Sequence, residues 1–451
     1  MSTMPPMSGA VRLRPILGRW QLLSIGVGAI IGSGIFVIPG PAAAQFAGPA
    51  IVLSFLIAAV GCALAGLCYA ELAAMCPLAG SAYSYTTQAF GRLPGWLIGW
   101  LLVLEYSFAA GIITQSCGTY AAGLFSPPGL PFTRTLASVI SLLVLIAMTG
   151  LAIRGIRQSA GVVVAFVIIK LTVISLVIVF GAPFVRTAHW SPFVPHNTGR
   201  WGEYGWSGVL RAAGIVFYTY LGFDAVSVSA QEARHPQRDV PFALIGSLAV
   251  CSIFFVLMML VITGLVDYHA LDVADPVAIA VLAAGSGLHW LVTLIDLGAT
   301  IGMLSVLLVL LMAQSRILFA IASDGLLPAP LARLHPRWQT PVAGTLVTAV
   351  VAGALAELVP ISVLGQMVSA GVLSAFIAVA LTVMMWRRQR PESPRPFRTP
   401  WVPVIPIGAV LVCGLMAAGL PITTWWRFGG WLLLGSILYL LHPLFRGNRD
   451  G

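Results

Sequence analysis

The chain holds one lysine, and it lies where an ammonium ion is costly. Lys170 sits in Phe-Val-Ile-Ile-Lys-Leu, far from either end of an apolar run bounded by Ser159 and Pro183. An ammonium at mid-membrane depth costs a few kcal/mol or more, so it should face a protein interior and have a reason to be there. From that depth the side chain does not snorkel to an interface. Glu105, in Leu-Glu-Tyr, is embedded in the same way, and either lines a route or pairs with a polar partner. Asp224, in Leu-Gly-Phe-Asp, reads first as the cap of a helix restarting in mid-membrane. Glu71, at the end of an apolar run, fits an inner gate or loop network. Around Gly26, Gly28, Gly32 and Gly34 glycine is dense enough to favour unwinding near Gly32-Ser33-Gly34. Gly28 and Gly32 also form a G-x-x-x-G that could simply allow close helix packing. A dinucleotide loop is excluded, because no strand precedes the glycines and there is no beta-alpha-beta unit.

Other chemistries lack their residues. The 6 cysteines lie mostly in apolar stretches with no C-x-x-C pair, and the 7 histidines fall mainly in loops or at helix ends. Disulfide frameworks, zinc sites and a membrane enzyme with an interfacial acid or His/Cys cluster are therefore not expected. Lys170 is outside any G-x-x-x-x-G-K-[ST], so the chain carries no nucleotide-hydrolysing loop. Nothing repeats as a channel filter or charge ring would.

The elements that hold these residues follow from composition. Of 451 residues, 59% are hydrophobic and 8% charged, too few charges to coat soluble domains of this size. The expected solvent is lipid. Windows of about 20 apolar residues recur at 22–44, 49–70, 93–118, 136–153, 159–182, 208–229, 242–266, 289–318, 342–358, 363–386, 402–421 and 428–445. They predict an all-α integral membrane protein of twelve transmembrane helices. With the amino terminus inside, 18 arginines, among them Arg12, Arg14, Arg157 and Arg449, fall on the inner side and 5 outside: Arg134, Arg186, Arg200, Arg211 and Arg427. That bias predicts that both termini of a multi-pass protein of the inner or plasma membrane are cytoplasmic. It also accounts for the net charge of +10 without nucleic acid, since the arginines face an anionic leaflet. The first window is long enough to span and carries no signal-peptide cleavage pattern.

The first and sixth spans read as interrupted, and they are five apart. Five is odd, so the units that begin with them are oppositely oriented, as in the inverted repeats of secondary transporters, where substrate lies between broken helices at the midplane. The expected organisation is a cytoplasmic segment 1–21, a five-helix repeat 22–183, its inverted counterpart 207–386, a basic loop 387–401 and two extra helices within 402–445.

Gly-Ala-Ile-Ile-Gly-Ser-Gly-Ile-Phe from Gly28, Tyr69-Ala-Glu-Leu with Pro77-Leu-Ala-Gly-Ser-Ala-Tyr, and Leu221-Gly-Phe-Asp-Ala-Val resemble the amino acid, polyamine and organocation transporter superfamily, and most of all bacterial members of its cationic amino acid transporter family. Glu232-Ala-Arg-His-Pro, Ala313-Gln-Ser-Arg and Arg395-Pro-Phe-Arg-Thr-Pro extend the resemblance over about 15–445. It implies two inverted five-helix repeats plus two helices, an amino acid substrate, and no cofactor besides a coupling proton. Backbone N–H groups of Gly32, Ser33 and Gly34 would cradle the carboxylate, and carbonyls of Tyr218, Thr219 and Leu221 would take the ammonium. Phe223 matches an aromatic gate, with a packing or lipid-facing phenylalanine as the alternative. Lys170 matches a family lysine at the place where sodium-coupled relatives bind their ion, between the first, fifth and eighth spans. Burial penalises its charged form, which suits proton exchange. The alternative is a permanently charged tether on carbonyls of the broken first helix. Val162-Val163 departs from the asparagine often found there in relatives.

Met303 falls where the eighth span of the family faces the substrate side chain, and a thioether favours a small or medium apolar group. Asp296, seven residues earlier on the same helical face, departs from the family pattern and could attract a cation. Proton-coupled uptake of neutral L-amino acids is the leading expectation. Exchange of cationic amino acids or polyamines is the alternative, and a sensor that binds an amino acid without transporting it is a third.

Overall fold

The structure, a computed structural model, describes residues 17–78, 80–124, 134–273, 275–285 and 288–446. Arg12, Arg14 and Arg449, most of the 1–21 segment, and the side chains of Ser33, Arg134 and Arg157 lie outside what it describes. Among the described residues there is no strand, only an isolated backbone bridge between Leu17 and Ala233.

Seventeen α-helices follow one another among the described residues: α1 (Arg19–Ile30), α2 (Ser33–Phe36), α3 (Pro39–Ala42), α4 (Ile51–Met75), α5 (Ala82–Phe90), α6 (Arg92–Leu124), α7 (Arg134–Arg154), α8 (Ile156–Gly181), α9 (Gly205–Val216), α10 (Ala225–Val228), α11 (Pro236–Leu265), α12 (Pro276–Ala283), α13 (His289–Ser323), α14 (Val342–Leu358), α15 (Ile361–Gln389), α16 (Val404–Ala418) and α17 (Ile422–Arg446). By length and composition, 8 helical stretches among the described residues can cross a membrane. α14 is shorter, α16 and α17 form a pair bent by 112°, and the first apolar window is split into α1, α2 and α3.

Two short helices have no counterpart in the hydropathy windows. α5 is set off by Ser81 at φ 48° and stopped by Gly91 at φ 95°, a left-handed position that glycine takes without steric cost. α12 starts at Asp275-Pro276, where the aspartate Oδ1 accepts from the Ala278 N–H at 3.3 Å and proline sits in the first turn.

The interior is built around α1, which packs on α8, α11 and α13, and around α6, which runs along α13 and α15. Outward faces of α7, α8, α14 and α17 carry exposed Leu143, Ile146, Ile168, Val350, Leu433 and Leu440, as lipid contact requires.

Candidate functional site

The first break comes where the glycines are densest. α1 stops at Ile30, Ile31 turns extended (φ −80°, ψ 97°), and α2 begins at Ser33. A helix end leaves its last carbonyls without intrahelical donors, and here Lys170 takes two of them. Its Nζ donates to Gly28 O at 2.8 Å and to Ile31 O at 2.5 Å, and lies 3.0 Å from Ser305 Oγ. When protonated, the amine has one donor for each of the three partners, and its charge then lies at a helix carboxyl end, where the dipole favours it. Ser305 is held in turn by Gly302 O at 2.7 Å and Gly28 O at 3.2 Å. α8, α1 and α13 therefore meet at one fully buried amine.

The second break follows α9. A single tight turn covers Phe217–Tyr220, Leu221 is extended (φ −54°, ψ 141°), Gly222 adopts φ 101°, and α10 restarts at Ala225. The two breaks touch. A Cβ on Gly34 would lie 2.8 Å from the Cα and Cβ of Thr219, and one on Gly222 would lie 2.7 Å from Ala29 Cβ and 3.1 Å from the Ala29 carbonyl. Only hydrogen fits at either position, so main chain meets main chain. Of the acceptors expected there, the Tyr218 carbonyl already receives the Leu221 N–H at 3.0 Å, because the turn closes on itself. The Thr219 hydroxyl donates backward to Val216 O at 2.6 Å. Gly32 immediately precedes the short helix beyond the first break, Ser33 and Gly34 open it, and Ile35 N reaches Gly32 O at 3.4 Å.

Asp224 precedes α10, but its carboxylate makes no cap bond, contrary to the sequence reading. Its backbone is αR (φ −68°, ψ −19°), whereas a capping residue is normally extended. The side chain turns instead to α6, where Tyr106 OH donates to Oδ2 at 2.7 Å, and Oδ1 has no partner. Glu105, the residue before Tyr106 on α6, is fully buried with neither carboxyl oxygen bonded, and it interacts electrostatically with Asp224. Tyr69 OH is likewise buried and unpartnered.

Phe223 is fully buried in an aromatic cluster, with ring centroids 5.6 Å from Tyr69 and 5.0 Å from Phe376. These are packing contacts, and a gate would have to open by parting them. Met303 is fully buried on α13, directly after Gly302, whose Cα borders the Lys170 stem. Asp296 is placed beside Asp275, the two carboxyls within hydrogen-bonding reach. Tyr120 OH lies 3.0 Å from Asp275 Oδ1 and 3.2 Å from Phe36 O at the end of α2. Asp275 and Tyr120 escaped the sequence reading, although Asp-Pro before an apolar run is a legible helix start.

At the opposite end of the bundle, buried ion pairs tie the helices. Arg316 Nε donates to Glu232 Oε1 at 2.6 Å. Glu71 receives Arg387 at 3.0 and 2.8 Å and the Thr399 N–H at 2.7 Å, with Arg395 at 3.3 Å. Glu71 thus belongs to a network that binds the 390–401 loop to α4. The six cysteines are free, and among the described residues no group of His, Cys, Asp or Glu could hold a metal.

The sequence matches the family model for amino acid permeases over residues 17–437. It is 36% identical to the methylthioribose transporter of Bacillus subtilis over 98% of this chain and 96% of that protein. It is 37% identical to the branched-chain amino acid permease BcaP of the same organism, over 96% and 94%. The Arabidopsis thaliana vacuolar cationic amino acid transporter 4 is 35% identical over 85% of this chain and 65% of its own length. With its interrupted helices in contact and its matches running almost end to end, the chain belongs to the amino acid permease family, a family of membrane transporters rather than enzymes.

Proposed function

We propose that the chain takes up neutral L-amino acids together with protons by alternating access. In this reading twelve spans form two inverted five-helix units, 22–183 and 207–386, followed by two further helices, with both termini cytoplasmic. The contact of the two breaks, Gly34 on Thr219 and Gly222 on Ala29, carries the proposal. It supports the reading because a broken helix offers unpaired donors at one stump and unpaired acceptors at the other, and a zwitterion needs both. The carboxylate goes to Gly32, Ser33 and Gly34, and the ammonium to the carbonyls of Tyr218, Thr219 and Leu221. Phe223 covers the substrate, and Met303 faces an apolar side chain. Lys170 carries the proton: without it the amine keeps two N–H donors for three partners, so its hold on the end of α1 and on Ser305 rearranges. Relatives named for branched-chain amino acids agree with a neutral substrate.

A cationic substrate is the second reading, favoured by the adjacent carboxyls of Asp275 and Asp296. Radiolabelled uptake into proteoliposomes with an acidic exterior separates the two. Leucine or alanine accumulation that collapses with the pH gradient is expected. Uptake of arginine alone supports the second reading, and binding without uptake in any arm supports a sensor. Thermal stabilisation by methylthioribose and by no amino acid overturns the zwitterion site.

A further inference from the structure

A cavity of about 780 Å³ opens at the amino-terminal ends of α1 and α11, away from the two breaks. Its wall carries Arg19, Arg234 and Arg238, with His235 beside them and Asp239 as the one acid. Three guanidiniums against one carboxylate make it an anion-attracting hollow. The start of α1 and the start of α11, a 30-residue helix, both line it, adding the positive ends of two helix dipoles.

Its rim is apolar. Trp20 is 60% exposed and packs edge-on to Phe242 of α11 at 5.4 Å, and the Arg19 guanidinium lies over both rings at 5.3 and 5.7 Å. Phe242 and Ile245, one turn apart, continue an exposed greasy strip along α11 away from the arginines. Tryptophan beside arginine at a helix start is the pattern of a membrane interface. A free phosphate would use only the charged floor, whereas a phospholipid uses the floor for its head group and the strip for an acyl chain.

We propose that this cavity binds the phosphate head group of an anionic phospholipid of the cytoplasmic leaflet, an assignment that rests on the amino terminus lying inside. The site adjoins the bridge in which Leu17 N donates to Glu232 O and Arg234 N to Leu17 O, both at 2.9 Å. A bound head group therefore braces the amino-terminal segment against the end of the second interrupted span.

The test is a thermal-shift series on the purified full chain in detergent. Phosphatidylglycerol, phosphatidylcholine and inorganic phosphate are each added to the wild type, to Arg19→Gln/Arg238→Gln and to Arg200→Gln/Arg427→Gln. Phosphatidylglycerol should raise the wild-type Tm, phosphatidylcholine and phosphate should not, and the first variant should lose more than half of the shift while the second keeps it. An undiminished shift in the first variant, an equal loss in the second, or an equal shift from phosphate or phosphatidylcholine overturns the assignment. Both variants alter arginines outside the substrate site, and native mass spectrometry of retained lipid gives a readout independent of Tm.

Discussion

Lys170→Ala removes an amine that satisfies two main-chain carbonyls and a serine at once. Each buried acceptor left bare costs about 1–3 kcal/mol; the Gly28 carbonyl keeps the Ser305 hydroxyl, so the loss falls mainly on the Ile31 carbonyl, roughly 1–3 kcal/mol by the same measure. Against this, the wild type keeps an ammonium out of water, at an effective penalty of several kcal/mol. The two terms oppose each other and are of similar size, and the vacated volume admits water to the carbonyls. The variant should therefore fold with a modest Tm change. Its transport should change far more. One proton carried with each substrate down a gradient of one pH unit supplies about 1.4 kcal/mol, a tenfold accumulation. Proteoliposomes with the wild type should approach that ratio, and those with Lys170→Ala should stop near unity while still exchanging labelled for unlabelled substrate. Tenfold accumulation by the variant would refute the coupling role and leave Lys170 as a tether.

Gly222→Ala places a methyl group at φ 101° and 2.7 Å from Ala29 Cβ. A left-handed residue costs about 1–2 kcal/mol and overpacking about 1–3 kcal/mol, so Tm should fall clearly and the substrate-induced shift should vanish; unchanged melting contradicts the contact. Tyr106→Phe strips Asp224 Oδ2 of its donor, for a loss of about 1–3 kcal/mol in denaturant unfolding. Met303→Ala widens the side-chain pocket and should shift uptake competition toward larger apolar amino acids by about 1–3 kcal/mol; an unchanged order of competitors removes Met303 from the pocket.

Both breaks were legible because their causes are local. Four glycines in nine residues weaken α1 wherever they occur, and Gly222 before Phe-Asp marks a helix break without reference to neighbours. What the residues at the breaks bond to was not legible. Lys170 finds acceptors 142 and 139 positions away, and Asp224 finds Tyr106 at a separation of 118, so only packing brings them together. The reading of Asp224 as a side-chain cap failed for a conformational reason, since its αR backbone aims the carboxylate away from the helix that follows. The Tyr218 carbonyl was expected free because a broken helix sheds acceptors. The break instead closes in a tight turn that recovers one. α5 and α12 escaped hydropathy windows because each is under ten residues, too short to register against a span of twenty.

α1 is held at both ends by different means. At its carboxyl end Lys170 and Ser305 grip Gly28 and Ile31. At its amino end Leu17 pairs with the Glu232–Arg234 segment, whose Glu232 side chain is anchored by Arg316. The grips are about 11 residues apart along the chain, roughly 16 Å of helix, and share no partner. Losses of stability from Lys170→Ala and Glu232→Gln should therefore add to within about 0.5 kcal/mol. Transport should behave otherwise. A twelve-residue helix moves as one piece, so freeing either end already disturbs the closed arrangement, and the double variant should be no slower than the worse single variant. If the two rate losses multiply instead, the ends act separately and α1 is not the rod that links proton release to closure.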